Sequence, residues 1–434
     1  MAIQALLIIL VVLAVLLAIG VPISYAIGFS ALAAILPTMA LDVSVITGAQ
    51  RTFVGMSKFS LTAIPFFILA GNIMNQGGIA KRLVNFVLAI LGKLPGALLV
   101  TNCGANALFG AISGSASAAA AAVGSMVEEG EKEQGYAPEI CAAANGASAP
   151  SGLLIPPSNA LITYSLVSGG TSVAALFVAG YIPGILWMLA CIVVSVIIAK
   201  KKGYKGTEGK FSWKTLAIAT IQAIPALSLI VVVIGGIVKG VFTATEGSAI
   251  AVVYALILGI CYKNITLKSL WRIIVDSAKV SGMIVFLIGV SNILGWVMAF
   301  TQVPQAISSI MLGISSNPIV ILLIINVILL VAGTFMDVTP AILIFTPLFL
   351  PIVSKFGMNP VQFGLILVYN LCIGNITPPV GNTLFVAIKV GKTSLSKVMP
   401  YMLMYYVAII VGLFLVTYIP ALSMYLPQAA GLIK

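Results

Sequence analysis

The stretch Gly374-Asn375-Ile376-Thr377-Pro378-Pro379-Val380-Gly381-Asn382-Thr383 lies near the C-terminal end of the chain, with apolar sequence on both sides. Its prolines and glycines predict that no helix continues through it. Backbone that leaves helical geometry at membrane depth must be buried in protein or line a polar cavity, because its N–H and C=O groups need partners. The first half of the chain contains a related stretch, Ala149-Pro150-Ser151-Gly152-Leu153-Leu154-Ile155-Pro156-Pro157-Ser158-Asn159. Together the two stretches predict a polar site within an apolar protein.

The composition is that of a polytopic membrane protein. Of the 434 residues, 61% are hydrophobic and 7% are charged, whereas a soluble domain carries roughly 25% charged residues. The net charge of +12 would suggest nucleic acid as a partner of a soluble protein, but here it favours basic loops on the cytoplasmic face. The chain has no histidine and five separated cysteines beside apolar runs. We therefore predict no transition-metal site, no cofactor and no nucleic-acid partner.

The order of apolar and polar segments predicts an all-α membrane protein built from two repeats, residues 1–205 and 206–434. Each repeat contains scaffold spans, an amphipathic arm helix at the interface, a re-entrant hairpin and a broken helix. In the first repeat the arm helix is predicted at 78–93, the hairpin at about 95–126 and the broken helix at about 139–167. In the second repeat these segments are predicted at about 263–280, 317–354 and 361–388.

Basic loops predict the orientation of the chain. The segment 200–214 contains six lysines against the single acidic residue Glu208, which places it in the cytoplasm by the positive-inside rule. Counting back five spans puts the N-terminus outside. The basic segment 263–279 follows two spans later and falls again on the cytoplasmic side, so the two loops agree.

The two halves match each other at a nearly constant offset of 220 to 223 positions. Arg51 matches Arg272 and Asn72 matches Asn292, while Pro156-Pro157 matches Pro378-Pro379. A duplicated unit with an odd number of spans must insert the opposite way up, so we expect an inverted repeat with its site near the membrane midplane. That architecture is typical of secondary transporters. A Gly-rich nucleotide-binding loop ending in Gly-Lys-Ser/Thr is absent from the sequence, so ATP is not used by that route.

Small polar residues at the hairpins and breaks are candidate ligands for sodium, which favours hard oxygen atoms. The predicted sodium ligands are Ser113, Ser115, Ser117, Ser158, Asn159, Asp337, Thr339, Asn375, Thr377, Gly381, Asn382 and Thr383. Small polar residues also pack between membrane helices, so both interpretations stay open for any single serine. The two broken stretches as units favour a functional site.

Three charged residues need a separate explanation. Asp337 lies between apolar runs, where an unpaired carboxylate costs roughly 3 kcal/mol, so we expect it to coordinate a cation, pair with a base or bind a proton. Glu246 begins a span just after Thr243, and helix capping explains it. Arg51 is suited to a bidentate contact with a substrate carboxylate, although an anchor at the membrane interface is the favoured alternative.

The sequence resembles the large membrane subunit of TRAP transporters, the DctM-like family, over essentially its whole length. The segments that carry the resemblance are Pro65-Phe66-Phe67-Ile68-Leu69-Ala70-Gly71, Ser113-Gly114-Ser115, Ile155-Pro156-Pro157-Ser158, Gly333-Thr334-Phe335-Met336-Asp337 and Thr377-Pro378-Pro379-Val380-Gly381. The resemblance implies an elevator-type fold of the ion-transporter-like superfamily in the bacterial inner membrane. It also implies sodium-driven import of an organic anion, such as sialic acid, a four-carbon dicarboxylate or another sugar acid.

The resemblance further implies two protein partners and a substrate position. The partners are a periplasmic substrate-binding protein and a small four-span membrane subunit, expected here as a separate polypeptide. Sodium is expected near Ser113–Ser117 and Asp337–Thr339, with substrate between the two hairpin tips. The candidate substrate contacts are Ser115, Ser117, Pro157, Asp337, Pro379 and Arg51.

Three alternatives remain at this point. The first is a stand-alone sodium–dicarboxylate symporter of related fold, and the second is a proton-coupled carrier that uses Asp337. The third is an intramembrane enzyme. The chain has no histidine, and it offers neither paired intramembrane aspartates nor a convincing serine–lysine dyad. We therefore expect a transporter and not an enzyme.

Overall fold

The computed structural model describes residues 1–206 and 212–433, and every regular element in those residues is helical. In chain order the helices are α1 (Ala2–Ala18), α2 (Ile23–Ile35), α3 (Leu41–Met56), α4 (Ala63–Gln76), α5 (Ile79–Leu91), α6 (Ala97–Ser113), α7 (Ala116–Glu133), α8 (Pro138–Ser148), α9 (Ser151–Leu154), α10 (Asn159–Val167), α11 (Val173–Lys202), α12 (Trp213–Val238), α13 (Ala244–Cys261), α14 (Leu267–Phe300), α15 (Val303–Ile314), α16 (Pro318–Gly333), α17 (Val338–Ser354), α18 (Pro360–Gly374), α19 (Asn382–Val390), α20 (Leu395–Tyr418) and α21 (Ala421–Ala429). A short 3-10 turn, Phe59–Thr62, precedes α4.

Several of these helices are suited to a membrane. Among the described residues, five helices, α11, α12, α13, α14 and α20, are long and apolar enough to cross one. A sixth candidate is the pair Leu41–Met56 and Phe59–Gln76, which is bent by 59°. Shorter apolar helices, among them α6, α16, α17 and α18, accompany them. The chain is therefore a multi-pass membrane protein, as its composition predicts.

The arm helix predicted over about 263–280 is not a separate element. Instead α14 runs unbroken through the arm and the following span, because no proline interrupts it and Thr266 closes a capping box at its start. In the first half, α3 ends at Met56 and a new helix direction begins before α4. Pro65 lies in the first turn of α4, where its missing N–H and fixed φ are tolerated, but it would clash with a helix continuing from upstream.

The helices of the two halves start at matching positions. The offset between paired starts stays between 221 and 223 residues. The pairs are Ile23 with Ala244, Ala97 with Pro318, Ala116 with Val338, Pro138 with Pro360, Asn159 with Asn382, and Val173 with Leu395. Each half therefore has the same order of elements. Two helices joined by a tight tip come first, and an interrupted helix and a long span follow.

The helices pack in two groups. In one, α14 packs on α2, α3 and α4, and α13 packs on α4 and α12. In the other group, α6 and α7 pack on the interrupted helix α8–α10, and α16 and α17 pack on α18. The helices α11 and α20 pack against this same group. The centre of this second group holds the buried Trp187 and Tyr369, whose ring centroids are 4.8 Å apart. The two groups meet where α4 contacts α6 and where α14 contacts α17.

Two further observations depart from the predicted segments. The first hairpin extends to Glu133 and not to about 126. The acidic run Glu128–Glu133 therefore lies in α7. Glu131 is buried there, with 5% of its surface exposed. The helix α21 follows α20 and was not predicted. In the basic segment 200–214, Glu208 and Lys210 lie outside the described residues.

Candidate functional site

The tip of the first hairpin is a tight turn between α6 and α7. Gly114 ends α6 with φ +63°, a conformation that favours glycine because it has no Cβ. Ser115 then caps α7 by accepting a hydrogen bond from the Ala118 N–H over 3.3 Å. A Cβ placed on Gly114 would lie 2.6 Å from the Asn159 side-chain nitrogen. The tip therefore packs directly against the start of α10, on the far side of the first break.

The tip of the second hairpin is built in a similar way. Asp337 precedes α17, and its Oδ1 atom accepts the Val338 N–H over 2.8 Å. The preceding helix α16 packs closely on the helix before the second break, since a Cβ on Gly333 would lie 3.3 Å from the Gly374 Cα. The Val380 N–H donates to the Thr334 carbonyl over 3.1 Å. The second break is thus held against the second hairpin by backbone contacts.

The two tips and the two breaks meet around one cavity of about 250 Å³, which we call the tip cavity. Its lining residues are Ile68, Asn72, Ser113, Gly114, Ser115, Ala116, Ser117, Ala118, Leu153, Asn159, Ala160, Val280, Ile284, Asp337, Val338, Thr339 and Asn375. Asp337 is the sole ionisable residue in this lining, and its side chain is exposed to the cavity. The cavity wall opposite the tips comes from α4 and α14.

Two side-chain oxygens at the breaks have no hydrogen-bond partner in the described part of the chain. They are the Oδ1 atoms of Asn159 and Asn375, both buried and both on residues that line the tip cavity. A buried polar atom without a partner costs about 1–3 kcal/mol. These two oxygens are therefore candidates for contacts with a cation that enters the cavity.

The predicted site residues fall into two sets. Those that line the tip cavity are Ser113, Ser115, Ser117, Asn159, Asp337, Thr339 and Asn375. Those that do not line it are Ser158, Thr377, Gly381, Asn382, Thr383, Pro157, Pro379 and Arg51. Whether any of these side chains or their carbonyls bind sodium or substrate stays a prediction.

Three members of the second set form hydrogen bonds at the breaks. Ser158 caps α10, accepting the Leu161 N–H over 3.4 Å, and it also donates to the Leu153 carbonyl. Thr377 donates to the Ile373 carbonyl over 2.7 Å. The Thr383 hydroxyl lies 3.3 Å from the Ser117 hydroxyl, so it connects the second break to the first tip.

Arg51 lies outside the lining of the tip cavity. Its guanidinium carbon is 5.3 Å from the centre of the Trp296 ring, and its carbonyl accepts a hydrogen bond from the Asn292 amide over 2.8 Å. These contacts fit the interfacial interpretation better than a substrate contact in this conformation. Glu246 forms a capping box with Thr243, whose N–H and hydroxyl both donate to its carboxylate, so helix capping accounts for it.

Sequence reasoning did not identify the wall that faces the tips. Asn72, Val280 and Ile284 line the tip cavity, and the Asn72 amide donates to the Ser277 hydroxyl over 2.8 Å. One signal was available, because Asn72 is a polar residue within an apolar run and matches Asn292 in the other half. The apolar residues carry no such signal, since they resemble every other lipid-facing or packing position.

A second cavity of about 270 Å³ lies further along α14. Ile288, Ser291 and Asn292 of α14 line it, together with Lys58 and residues of α10 and α17. Ile284 in the tip cavity and Ser291 in the second cavity are seven positions apart on one helix. That separation is two turns, so both residues face the same way about 10 Å apart.

Buried asparagines fasten each hairpin to its interrupted helix. In the first half, the Asn106 amide donates to Asn145 Oδ1 and to the Ser148 hydroxyl, each over 2.9 Å. In the second half, the Asn370 amide donates to Asn326 Oδ1, also over 2.9 Å. Asn106 and Asn326 are 220 positions apart, and Ser148 and Asn370 are 222 apart. Sequence reasoning missed both sets of bonds.

Comparisons with known proteins agree on one family over nearly the whole chain. The family model described as "Tripartite ATP-independent periplasmic transporter, DctM component" matches residues 10–422. The uncharacterised protein YgiK of Salmonella typhimurium is 50% identical, with 95% of each chain covered. The isethionate TRAP transporter permease protein DctMQ of Oleidesulfovibrio alaskensis is 40% identical over 95% of this chain and 65% of its own length.

A further relative and a solved structure extend this comparison. The sialic acid TRAP transporter large permease protein SiaM of Vibrio cholerae is 36% identical, with 94% of this chain and 95% of that protein covered. The crystal structure of the Alcanivorax borkumensis YdaH transporter matches in fold, with a TM-score of 0.64, 14% identity and coverage of 88% of this chain and 89% of that one. The homologous family is one of transport proteins and not of enzymes. The chain belongs to the DctM family, the large permease component of tripartite ATP-independent periplasmic transporters.

Proposed function

We propose that this chain is the large membrane subunit of a sodium-coupled importer of organic anions. The observation that carries the proposal is the tip cavity, where two hairpin tips and two helix breaks converge. Such convergence of interrupted backbone is the usual construction of a binding site in a secondary transporter. The substrate is an organic anion of the kind named for its relatives, which include isethionate and sialic acid, or a four-carbon dicarboxylate.

Sodium as the coupling ion is supported by the chemistry of the lining. Asp337 supplies a carboxylate, and the unpartnered Oδ1 atoms of Asn159 and Asn375 supply neutral oxygens. Hydroxyls of Ser115 and Thr339 add further hard donors. A set rich in neutral oxygens with one negative charge fits a monovalent hard cation.

Binding of the anion is supported by three helix N-termini. The helices α7, α10 and α17 all begin at the tip cavity, through Ala116, Asn159 and Val338. The N-terminal end of a helix carries a partial positive charge and free N–H groups, which stabilise a carboxylate or sulfonate. This arrangement offers anion contacts although no lysine or arginine lines the cavity in the described structure.

Alternating access by an elevator movement is the mechanism we propose. The matched helix starts and the paired asparagine contacts support an inverted repeat in which the helices α6–α11 and α16–α20 move against the remaining helices. The tip cavity and the second cavity lie two turns apart on the same face of α14, and Asn72 lines one while its repeat equivalent Asn292 lines the other. Sliding the tips by about 10 Å along α14 would carry them from one cavity towards the other.

The chain works in the bacterial inner membrane with the loop 200–214 in the cytoplasm. A small four-span subunit, on a separate polypeptide, assembles with it. A periplasmic binding protein delivers the substrate.

Reconstituted uptake tests the proposal directly. Proteoliposomes containing this chain and its small subunit would receive binding protein loaded with labelled isethionate, sialic acid or succinate, with or without an inward sodium gradient. We expect uptake only when both sodium and the binding protein are present. Uptake without the binding protein would instead identify a stand-alone symporter, and uptake driven by a pH gradient alone would identify proton coupling.

A further inference from the structure

A third cavity, of about 510 Å³, lies away from the tip cavity where α5 meets α12 and the end of α13. We call it the basic cavity, and its lining residues are Gly78, Lys81, Arg82, Asn85, Ile221, Gln222, Pro225, Tyr262 and Asn264. The helices α11 and α13 end on this side of the protein and α12 begins here, beside the lysines that end α11. The basic cavity therefore lies at the membrane face that carries the basic loops.

The basic cavity holds two positive charges that no carboxylate neutralises. Neither Lys81 nor Arg82 forms an ion pair within residues 1–206 and 212–433, and no acidic residue lines the cavity. Both residues lie in the first turn of α5, where the positive end of the helix dipole disfavours cations. An anion bound beside them would relieve this repulsion.

The guanidinium of Arg82 is held in a fixed position. Its carbon lies 3.5 Å from the centre of the Tyr262 ring, and one nitrogen donates to the Gly78 carbonyl over 3.0 Å. The turn before α5 is fixed in the same way, because the Asn264 amide donates to the Gly77 carbonyl over 3.0 Å. The stacking of Arg82 on Tyr262 and its hydrogen bond to Gly78 leave the other guanidinium N–H groups free to bind an anion.

Further donors in the cavity are free. Lys81, Asn85 and Gln222 donate no side-chain hydrogen bond to any residue of the described chain, so an ammonium and two amides remain available. Cations with neutral N–H donors around them match the oxygens of a phosphate group. Apolar side chains continue from the cavity along α12, where Ile221, Ile224 and Val231 are exposed by 66%, 51% and 70%.

We propose that the basic cavity binds the head group of an anionic phospholipid. Its phosphate lies among Lys81, Arg82 and the free amides, and its acyl chains follow the exposed isoleucines and valine of α12. A free phosphate would satisfy the same donors, but it would leave the adjoining apolar strip of α12 unused. Basic pockets between helices at the cytoplasmic face are recurrent sites for such head groups.

The position of α5 gives this lipid a structural consequence. The helix α5 follows α4 in the chain and leads directly into α6, and it packs on α6 as well as on α12. It therefore connects the group of helices that contains α4 and α12 to the first hairpin. A lipid head group held between α5 and α12 would fix this connection to the membrane surface. The inference does not depend on the identity of the transported substrate.

Native mass spectrometry of the purified full chain tests the proposal. Protein released from detergent would be offered dioleoyl phosphatidylglycerol or dioleoyl phosphatidylcholine, which share acyl chains and phosphate but differ in net charge. We expect one retained phosphatidylglycerol per chain, with a preference of roughly 25-fold over phosphatidylcholine, since each of the two basic residues favours anionic lipid by a factor of about five. In the double variant Lys81→Gln, Arg82→Gln the preference should fall to within about twofold.

Matched controls separate this site from general charge and from misfolding. Lys268→Gln removes an exposed lysine on the same face outside the cavity, and it should leave the preference unchanged. The charge-conserving variant Lys81→Arg should retain it. Equal retention of phosphatidylglycerol by the double variant and the native protein would overturn the proposal. Retention of added inorganic phosphate with no lipid adduct, or loss of the preference in Lys268→Gln, would also overturn it.

Discussion

The side-chain amide of Asn370 donates a hydrogen bond to Oδ1 of Asn326 over 2.9 Å, deep inside the protein. It also donates to the Asn326 carbonyl over 3.0 Å. These bonds join the helix before the second break to the first helix of the second hairpin. An equivalent set in the first half joins Asn106 to α8. The hairpins and interrupted helices are therefore fastened by polar groups that are fully removed from water and lipid.

Asn370→Ala should destabilise the protein by about 1–3 kcal/mol, because it leaves buried Asn326 oxygens without their donor. The measurement is the unfolding midpoint of the purified chain in detergent. Gln428→Ala, which shortens an exposed amide in α21, serves as the control and should leave the midpoint unchanged. An unchanged midpoint for Asn370→Ala would mean that its hydrogen bonds to Asn326 do not stabilise the protein.

Asp337→Ala should reduce sodium-dependent uptake by more than about tenfold, since a charged ligand is worth at least 1.5 kcal/mol. The protein should still assemble with its small subunit, because Asp337 is exposed to the cavity and accepts only the adjacent Val338 N–H. Initial uptake rates across a sodium titration would measure this. Asp42→Ala, an exposed acid in α3, is the control, and a normal sodium dependence of Asp337→Ala would remove Asp337 from the site.

Gly114→Ala should lower uptake more than Gly135→Ala does. Both glycines have a positive φ, +63° and +72°, so both substitutions carry a similar backbone cost of about 1 kcal/mol. A Cβ at Gly114 would also meet the Asn159 side chain at 2.6 Å, whereas nothing lies within 4 Å at Gly135. The readout is uptake compared with thermal stability. Equal uptake in the two variants would mean that the contact between tip and break is not needed.

Glu131 should make stability depend on pH. Burial raises the pKa of Glu131 to about 7, well above the value of about 4.3 expected for an unfolded chain. Stability is therefore greatest below the unfolded pKa and is lost as pH rises through about 7, by about 4 kcal/mol in total. Unfolding midpoints between pH 5 and pH 8 should fall for the native chain and stay level for Glu131→Gln.

The control for this pH dependence is Glu133→Gln, which changes an exposed acid in the same helix. The unfolding midpoint of this variant should fall between pH 5 and pH 8, as it does for the native chain. If Glu131→Gln follows the native curve, the buried carboxyl is not responsible for the change in stability.

Chemical cross-linking should detect two positions of the tips along α14. In a background without the native cysteines, Ile284→Cys and Thr339→Cys both lie on the tip cavity, so a short bifunctional thiol reagent should join them. Ser291→Cys with Thr339→Cys should be joined only after the tips have moved by about 10 Å. Sodium and substrate should change the ratio of the two products. Cross-linking of the first pair alone under every condition would argue against the movement.

Proline and composition made much of the fold predictable. The interruptions at Pro156-Pro157 and Pro378-Pro379 follow from the missing N–H and the fixed φ of proline, which act locally. The membrane class follows from the scarcity of charge. That α14 is unbroken was harder to predict from the sequence, because the amphipathic arm and the apolar span differ in polarity but not in helical propensity. Polarity alone suggested a boundary that the backbone does not have.

The lining of the tip cavity was predictable only where its residues carry polar atoms. Asp337 and the tip serines were identified because oxygen ligands are unusual at membrane depth. Val280 and Ile284 were not, since an apolar residue that faces a cavity has the same type as one that faces lipid. The burial of Glu131 was also hidden, because its neighbours in sequence are acidic and exposed while its neighbours in space are Asn102 and Cys141.

The charge of the tip cavity has a consequence for the order of events. The lining contains one carboxylate, that of Asp337, and no basic residue in the described structure. Under the proposed sodium coupling, an organic anion that arrived first would meet repulsion, and it would meet a neutral site once one sodium ion had bound. This order predicts that cation binding precedes anion binding, so that an anion without sodium stays outside. The same carboxylate would then protect the membrane from uncoupled leakage of the anion down its own gradient.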